Sequence, residues 1–375
     1  MRRRTSVATL VAALALVVAG CADDAPASRD EGETDTPTAS PTPGTSAAPT
    51  GGPADDPTVV EPAEALLDWQ DAGVAADTRL VRGTAWEVEV DDGGDTAEVR
   101  PIEGEGGEAA RIAAGNGRSI SEVLLDEDWA VVVRQDDAET APSQVAVVDL
   151  ATGEQRDLVS PAPASGGSWA MTGGDLYYPT YGEQQAYCLA TSALADAQGE
   201  DGWCAPARSG WSQLTASPDG VGIMTFDDAR PVACRTVALL DGSGLPQPVE
   251  GPTDCLGWDV AATADGALWS EVPEPRRQEE ATFHAVADGG YFDLGPGTTG
   301  TAVPCGGSVF FAQDPQGPDD PARLMRWTPD RTLEIVYEST SRGNAFLGEP
   351  VCAGDVLTLA SFGEDGDEQV WASVS

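Results

Sequence analysis

The side chains able to do chemistry in this 375-residue chain are an uneven set. There is one histidine, His284, and no lysine: all 20 basic residues are arginine. That excludes a Schiff-base lysine, a phosphate-loop lysine and a Ser-Lys dyad. A zinc site built on two or more histidines is excluded too, and a nucleophile-histidine triad would have to use His284. His284 lies in the alternating run Thr282-Phe283-His284-Ala285-Val286, which reads as a strand near the outside of its sheet. A lone histidine there packs more often than it catalyses. With 63 Asp and Glu, a carboxylate pair for glycoside hydrolysis stays open, but the sequence does not choose the pair. No catalytic residue is assigned.

Two further patterns bear on binding. Trp169, Trp211 and Trp258 are spaced by 42 and 47 residues. Acidic clusters recur at Asp91-Asp92 with Asp95, Asp136-Asp137 with Glu139, Asp227-Asp228, Glu279-Glu280, Asp314 with Asp319-Asp320, and Glu364-Asp365 with Asp367-Glu368. Aromatic rings stack on sugars or cations, and carboxylates attract basic partners or divalent ions. The bland alternatives are packing for the tryptophans and ordinary turn chemistry for the acids.

The elements that must position these residues are short. From Leu66 onward, brief apolar or alternating runs such as Trp86-Val90, Trp129-Val133 and Gln144-Val148 are separated by Gly, Asp and Pro clusters. This is the pattern of an all-β protein. Helix-like stretches are confined to Ala63–Gln70 and Thr191–Ala197. A turn followed by an apolar strand recurs near Thr84, Glu127, Gly174, Gly220, Gly266, Gly307 and Gly354, at intervals of 41 to 47 residues. That period implies four-stranded blades around an axis, hence a single β-propeller of seven blades. Six blades or a pair of β-sandwiches are the alternatives. The last repeat has room for three strands after Phe346, so a strand near Leu66–Trp69 is expected to complete it and close the ring.

Ser217-Pro218-Asp219-Gly220-Val221-Gly222-Ile223-Met224 resembles the turn-and-strand signature of TolB-like and related WD40-like propeller repeats. Thr263-Ala264-Asp265-Gly266-Ala267-Leu268-Trp269 is a weaker copy. The resemblance implies the propeller fold and a protein-binding role in the cell envelope. It covers one blade clearly and says more about fold than function.

In that register the cysteines find partners. Cys188 and Cys234 fall on the third strands of consecutive blades, with Cys204 and Cys255 at the outer strand or its exit. Cys305 and Cys352 fall at equivalent turns of the last two blades. The expected disulfides are Cys188–Cys204, Cys234–Cys255 and Cys305–Cys352. The three tryptophans start inner strands on the same face as the acidic turns, so Trp169, Trp211, Trp258, Asp227 and Asp228 are the candidate ligand-binding residues. No cofactor is expected, although a divalent cation such as calcium is possible, best at Gly363–Glu368.

The N-terminus supplies an address. Arg2-Arg3-Arg4 is followed by an apolar run from Val7 to Val18 and then Ala19-Gly20-Cys21. This order is a secretory signal, too short to span a membrane well. It resembles a bacterial lipobox, which implies cleavage before Cys21 and diacylation of that cysteine. An exported chain with an even number of remaining cysteines fits the disulfide reading. The expected organisation is a signal peptide over 1–20, a lipidated N-terminus and Pro/Thr/Ser/acidic tether over 21–62, and a propeller over 63–375. All-arginine usage with abundant Ala, Gly and Pro fits a GC-rich, actinobacterial source. The net charge of −43 becomes −46 once the three N-terminal arginines are removed. Nucleic acid and anionic lipid headgroups are poor partners for such a surface, whereas basic peptides, cations and neutral glycans suit it. The expected function is non-catalytic binding of a protein or glycan on the extracytoplasmic side of the cell membrane. A carboxylate-dependent glycan hydrolase and a structural or assembly factor of the envelope are the alternatives.

Overall fold

The computed structural model describes residues 56–102, 109–228, 233–274, 277 and 280–374. The signal segment, Cys21 and Glu279 lie outside them. The apolar runs become strands of seven antiparallel sheets, a seven-bladed β-propeller.

Blade 1 holds Arg79–Arg82, Trp86–Val90, Thr96–Pro101 and Ala110–Ala113. Blade 2 holds Arg118–Leu125, Trp129–Asp136, Gln144–Asp149 and Gln155–Asp157. Blade 3 holds Ala170–Thr172, Asp175–Tyr181, Tyr187–Ala193 and Gln198–Cys204. Blade 4 holds Ser209–Ser217, Gly220–Asp227, Cys234–Leu240 and Pro246–Pro248. Blade 5 holds Gly257–Thr263, Gly266–Glu271, Ala281–Ala287 and Gly290–Gly297. Blade 6 holds Val303–Cys305, Ser308–Gln313, Pro321–Trp327 and Leu333–Arg342. Blade 7 has a split inner strand, Ala345–Leu347 and Val351–Ala353, then Val356–Gly363 and Glu368–Ser373. Its fourth strand comes from the start of the domain, Gln70–Asp71, antiparallel to Val370-Trp371.

The predicted strand at Leu66–Trp69 is thus displaced by a few residues. Leu67 and Trp69 instead pack against the core shared by blades 6 and 7, and Trp69 Nε1 donates to Val336 O at 2.7 Å. Upstream, Thr58–Val59 and Ala63–Glu64 add in parallel to the outer strands of blades 5 and 6. The chain therefore runs as a belt along three blades before entering blade 1. Part of it falls in the stretch read as tether, because an outer β edge accepts any exposed backbone whatever its side chains. Neither helix-like stretch is helical. Ala63–Gln70 belongs to the belt, and Thr191–Ala197 is the end of a strand and a tight turn. Backbone pairing overrides a short apolar periodicity in both places.

Val, Ala, Leu and Trp side chains on both faces of each sheet bury against the next blade. One core cluster joins blades 2 and 3 through Val131, Leu176 and Tyr178, another joins blades 5 and 6 through Phe283 and Phe311. The first-to-second-strand turns fall where the repeat places them. At Gly266 a Cβ would lie 1.8 Å from Val286 O, so that turn requires glycine.

All three expected disulfides form. Cys188–Cys204 bridges neighbouring strands of blade 3, Cys234–Cys255 ties a strand of blade 4 to the loop entering blade 5, and Cys305–Cys352 links the inner strands of blades 6 and 7. Their sequence separations, 16, 21 and 47, rank the loops they close. On loop-closure entropy, Cys305→Ser/Cys352→Ser is expected to cost about 4 kcal/mol and Cys188→Ser/Cys204→Ser about 3 kcal/mol, read by urea denaturation. The reverse ranking would show that native-state strain, not chain entropy, dominates.

Candidate functional site

The inner strands around the axis are irregular. Pairing slips between Ile120 and Glu122 in blade 2, Ser212 and Thr215 in blade 4, and Gly257 and Val260 in blade 5. In blade 7 it is interrupted between Leu347 and Val351. A bulge re-aims the side chains it carries. Three carboxylates sit at these breaks: Glu122, Asp259 and Glu349. A fourth break puts Gln213 in the left-handed region, at φ 52°.

Asp259 is 3% exposed. Ser270 Oγ donates to its Oδ2 at 2.6 Å, and the Gly300 amide donates to its Oδ1 at 2.9 Å, tying blade 5 to the loop that leads into blade 6. Burial pushes the Asp259 carboxyl up to about 7, against the pull of those two hydrogen bonds, and the charge of Glu349 adds to the rise. Burial likewise pushes Glu122 up to about 7, with Glu349 contributing and Arg79 opposing. Glu349 is raised by burial alone. By surface area Glu122 is only half-buried and Glu349 is exposed. The inner strands of blades 4 and 6 approach within 8 Å (Cα–Cα). Arg79 donates to Ile120 O at 2.5 Å and Ser121 O at 3.3 Å, bracing the bulge beside Glu122.

Carboxyls held near 7 can give or take a proton at physiological pH, which marks a functional-site candidate. Among the described residues, no three His, Cys, Asp or Glu side chains converge as a metal cluster. In the turn favoured for calcium, Asp367 accepts the Gly363 amide and Glu368 accepts the Tyr337 hydroxyl, so both carboxylates are engaged within the protein.

The predicted binding residues lie toward one face, the end of the ring where the second-to-third-strand turns gather; Trp169 and Trp211 are packed there, Trp258 and Asp227 are half-buried, and Asp228 is exposed. Trp169 is 6% exposed and stacks on Tyr178 at 5.5 Å. Trp211 is 2% exposed and packs against Tyr187 at 5.2 Å. Trp258 is half-buried with Arg235 over its ring at 4.7 Å. Asp227 ends its strand half-buried, and the Asp228 amide donates to Arg208 O while Arg208 Nη2 donates back to Asp228 O. His284 is buried between Trp269 and Tyr291, and that burial lowers its pKa. It lies on the third strand of blade 5, away from the axis, as its strand pattern implied.

The turn face presents exposed carboxylates from all seven blades, among them Asp92, Glu139, Glu183, Asp228, Glu280, Asp319 and Asp365. Tyr181 and Phe346 stand among them, 50% and 54% exposed. Neither aromatic recurs at the blade period, so no repeat signal pointed to them. Glu122, Asp259 and Glu349 were equally hidden among dozens of carboxylates; a bulge leaves no signature in one sequence.

Among solved structures, the chain is similar to the β-propeller domain of the Trilobed protease from Pyrococcus furiosus, with TM-score 0.55, 12% identity, and coverage of 78% of this chain and 95% of that one. It is similar to a prolyl endopeptidase at TM-score 0.53 and 14% identity, covering 80% of this chain and 48% of that one. An oligogalacturonate lyase from Vibrio parahaemolyticus matches at TM-score 0.51 and 11% identity, over 84% of this chain and 99% of that one. These are likenesses of fold. No family model matches the chain, and no curated protein does. The Pyrococcus domain has an open velcro topology, whereas here Gln70–Asp71 pairs with the last blade.

The buried carboxyls set a pH dependence. Asp259 rises from 3.8 to about 7 on folding, so the folded protein binds that proton more tightly than the unfolded chain. Its contribution is unpenalised below pH 3.8 and is lost as pH climbs through 7. Asp259→Asn keeps an acceptor for Gly300 and removes the charge. The variant is expected to gain stability relative to wild type between pH 4.5 and 7.5, measured by urea midpoints. A constant offset across that range would show that Asp259 is ionised in the folded and unfolded states alike and that folding does not raise its pKa.

Proposed function

We propose that this protein is a lipid-anchored, extracytoplasmic envelope protein whose propeller is a non-catalytic binding module for a protein partner. The anchor rests on the Ala19-Gly20-Cys21 signal, and the role on the turn face. The observation that carries the reading is the exposure of Tyr181 and Phe346 among carboxylate-bearing turns of every blade. Exposed aromatics amid uniform charge are features of a protein interface, and the negative sign selects a basic partner. Packing of Trp169 and Trp211 and the capping of Trp258 by Arg235 withdraw the three tryptophans from a sugar platform, and the carboxylates around Tyr181 and Phe346 favour a basic protein over a neutral glycan.

The test uses the full-length protein immobilised against a solubilised envelope fraction. A Tyr181→Ala/Phe346→Ala variant is expected to keep its urea midpoint and to lose capture of a basic partner identified by mass spectrometry. Capture should also weaken steeply with salt. Undiminished capture by the variant, or retention on a glycan array in its place, would sink the protein-partner reading.

One observation favours a second reading. Burial pushes the Glu122 carboxyl up to about 7, with the charge of Glu349 contributing, and a carboxyl protonated near neutral pH is what the general acid of a carboxylate-dependent glycan hydrolase requires. That reading expects turnover of a glycan substrate, abolished by Glu122→Gln.

A further inference from the structure

We propose that the groove on the outer wall between blades 6 and 7 is a second docking site, for an extended basic segment of a partner protein. The groove holds about 710 Å³. Leu66, Leu67, Trp69 and Val370 give it an apolar floor, and Asp71, Glu338, Asp367 and Glu368 give it a carboxylate rim. Glu338 is paired with Arg323 at 2.9 Å, yet no arginine lines the groove itself. Leu66 is 53% exposed, and Trp69 lies edge-on to Tyr337 at 5.3 Å. Apolar floor and negative rim together fit side chains that carry a cation on an aliphatic stem, such as arginine, whose stem rests on Leu66 and Trp69 while the head meets the rim.

The backbone adds a second feature. Leu333–Arg342 is the outermost strand of blade 6, and the belt covers only its first part. Pairing runs from Glu334 to Ile335, and the last belt contacts, from the Leu67 amide and Trp69 Nε1, fall on Val336 O. Beyond Val336 the outer edge of this strand borders the groove through Tyr337, Glu338 and Thr340. A strand edge beside a side-chain pocket is how extended peptides are taken up. The chain's own N-terminal segment is a poor occupant, with one arginine, Arg29, against seven carboxylates between residues 22 and 55. Charge complementarity points to a basic segment from outside. The groove meets the turn face at Asp367, in the second-to-third-strand turn of blade 7, while Leu66, Asp71 and Glu338 lie outside that turn.

The probe is a fluorescein-labelled hexapeptide of alternating arginine and leucine, titrated by anisotropy into the full-length protein, with a glutamate-leucine peptide as control. Asp71→Asn/Asp367→Asn is expected to weaken binding about tenfold, the loss of two exposed ion pairs. Leu66→Ser, at an exposed position, is expected to weaken it without moving the urea midpoint, so the readout survives if the first variant is unstable. Asp227→Asn/Asp228→Asn on the turn face is expected to leave it unchanged. Equal affinity in both groove variants, loss in the turn-face variant alone, comparable binding of the glutamate peptide, or no binding of the arginine peptide would each overturn the proposal.

Discussion

Closure of the ring is the constraint on which the rest depends. Each blade is a four-stranded sheet with two apolar faces, stable only while both are covered by neighbours. Six interfaces form between consecutive repeats, but the seventh must join the end of the domain to its beginning. Here Gln70–Asp71 completes blade 7, and blade 7 then meets blade 1 through several contacts. The Arg82 amide donates to Thr358 Oγ1 at 3.3 Å, and the Arg82 guanidinium lies 4.6 Å from the centroid of Trp371. Arg82 is held in turn by Glu87, which also accepts Arg100 Nε at 2.7 Å. Ala353 of blade 7 enters the apolar cluster of blades 1 and 2. One arginine thus joins an aromatic contact, a hydrogen bond and an ion pair at the seam, where sequence contiguity supplies nothing.

The inner strands are irregular in four blades. Bulges in blades 2, 4 and 5 and the break in blade 7 each turn side chains that would alternate regularly. Carboxylates at such places lose water and gain repulsion from one another, which is why burial and Glu349 both act on Glu122 and Asp259. The protein tolerates the cost because Ser270 and the Gly300 amide hold Asp259 across the blade 5–6 junction. The same bonds position the loop that begins blade 6, so a destabilised charge and a structural tie are one feature.

How much of this was legible follows from what repeats. The turn period is a consequence of blade geometry, so it survives in the sequence and fixes the blade count and the three disulfide pairs. Placement of the acidic turns and of His284 follows from the same register. Features that arise from closure do not repeat. The belt has alternating exposure and no strand signature, because its pairing uses backbone alone, and its residues mimic a short amphipathic helix. Trp211 and Trp258 fall on inner strands and Trp169 directly precedes one, but position did not reveal that Tyr178, Tyr187 and Arg235 occupy their faces. That depended on residues from other strands, which periodicity does not relate.

The distribution of arginine completes the electrostatic picture. Several are consumed in ion pairs along blade walls, such as Arg100 with Glu89 and Arg326 with Glu334. Others brace turn backbones: Arg118 donates to Arg134 O and Pro142 O, Arg208 to Asp228 O, and Arg342 to Asp319 O. A guanidinium on a carbonyl stiffens a turn while leaving most of the nearby carboxylate charge in solvent. Rigid turns with exposed charge lose little entropy on meeting a partner, and a chain of net charge −43 has a long-range field to steer a basic one. Solubility alone requires the charge but not the bracing, and it does not account for exposed Tyr181 and Phe346 beside those turns. The combination supports the proposed recognition role, in which orientation would be fixed before contact is made.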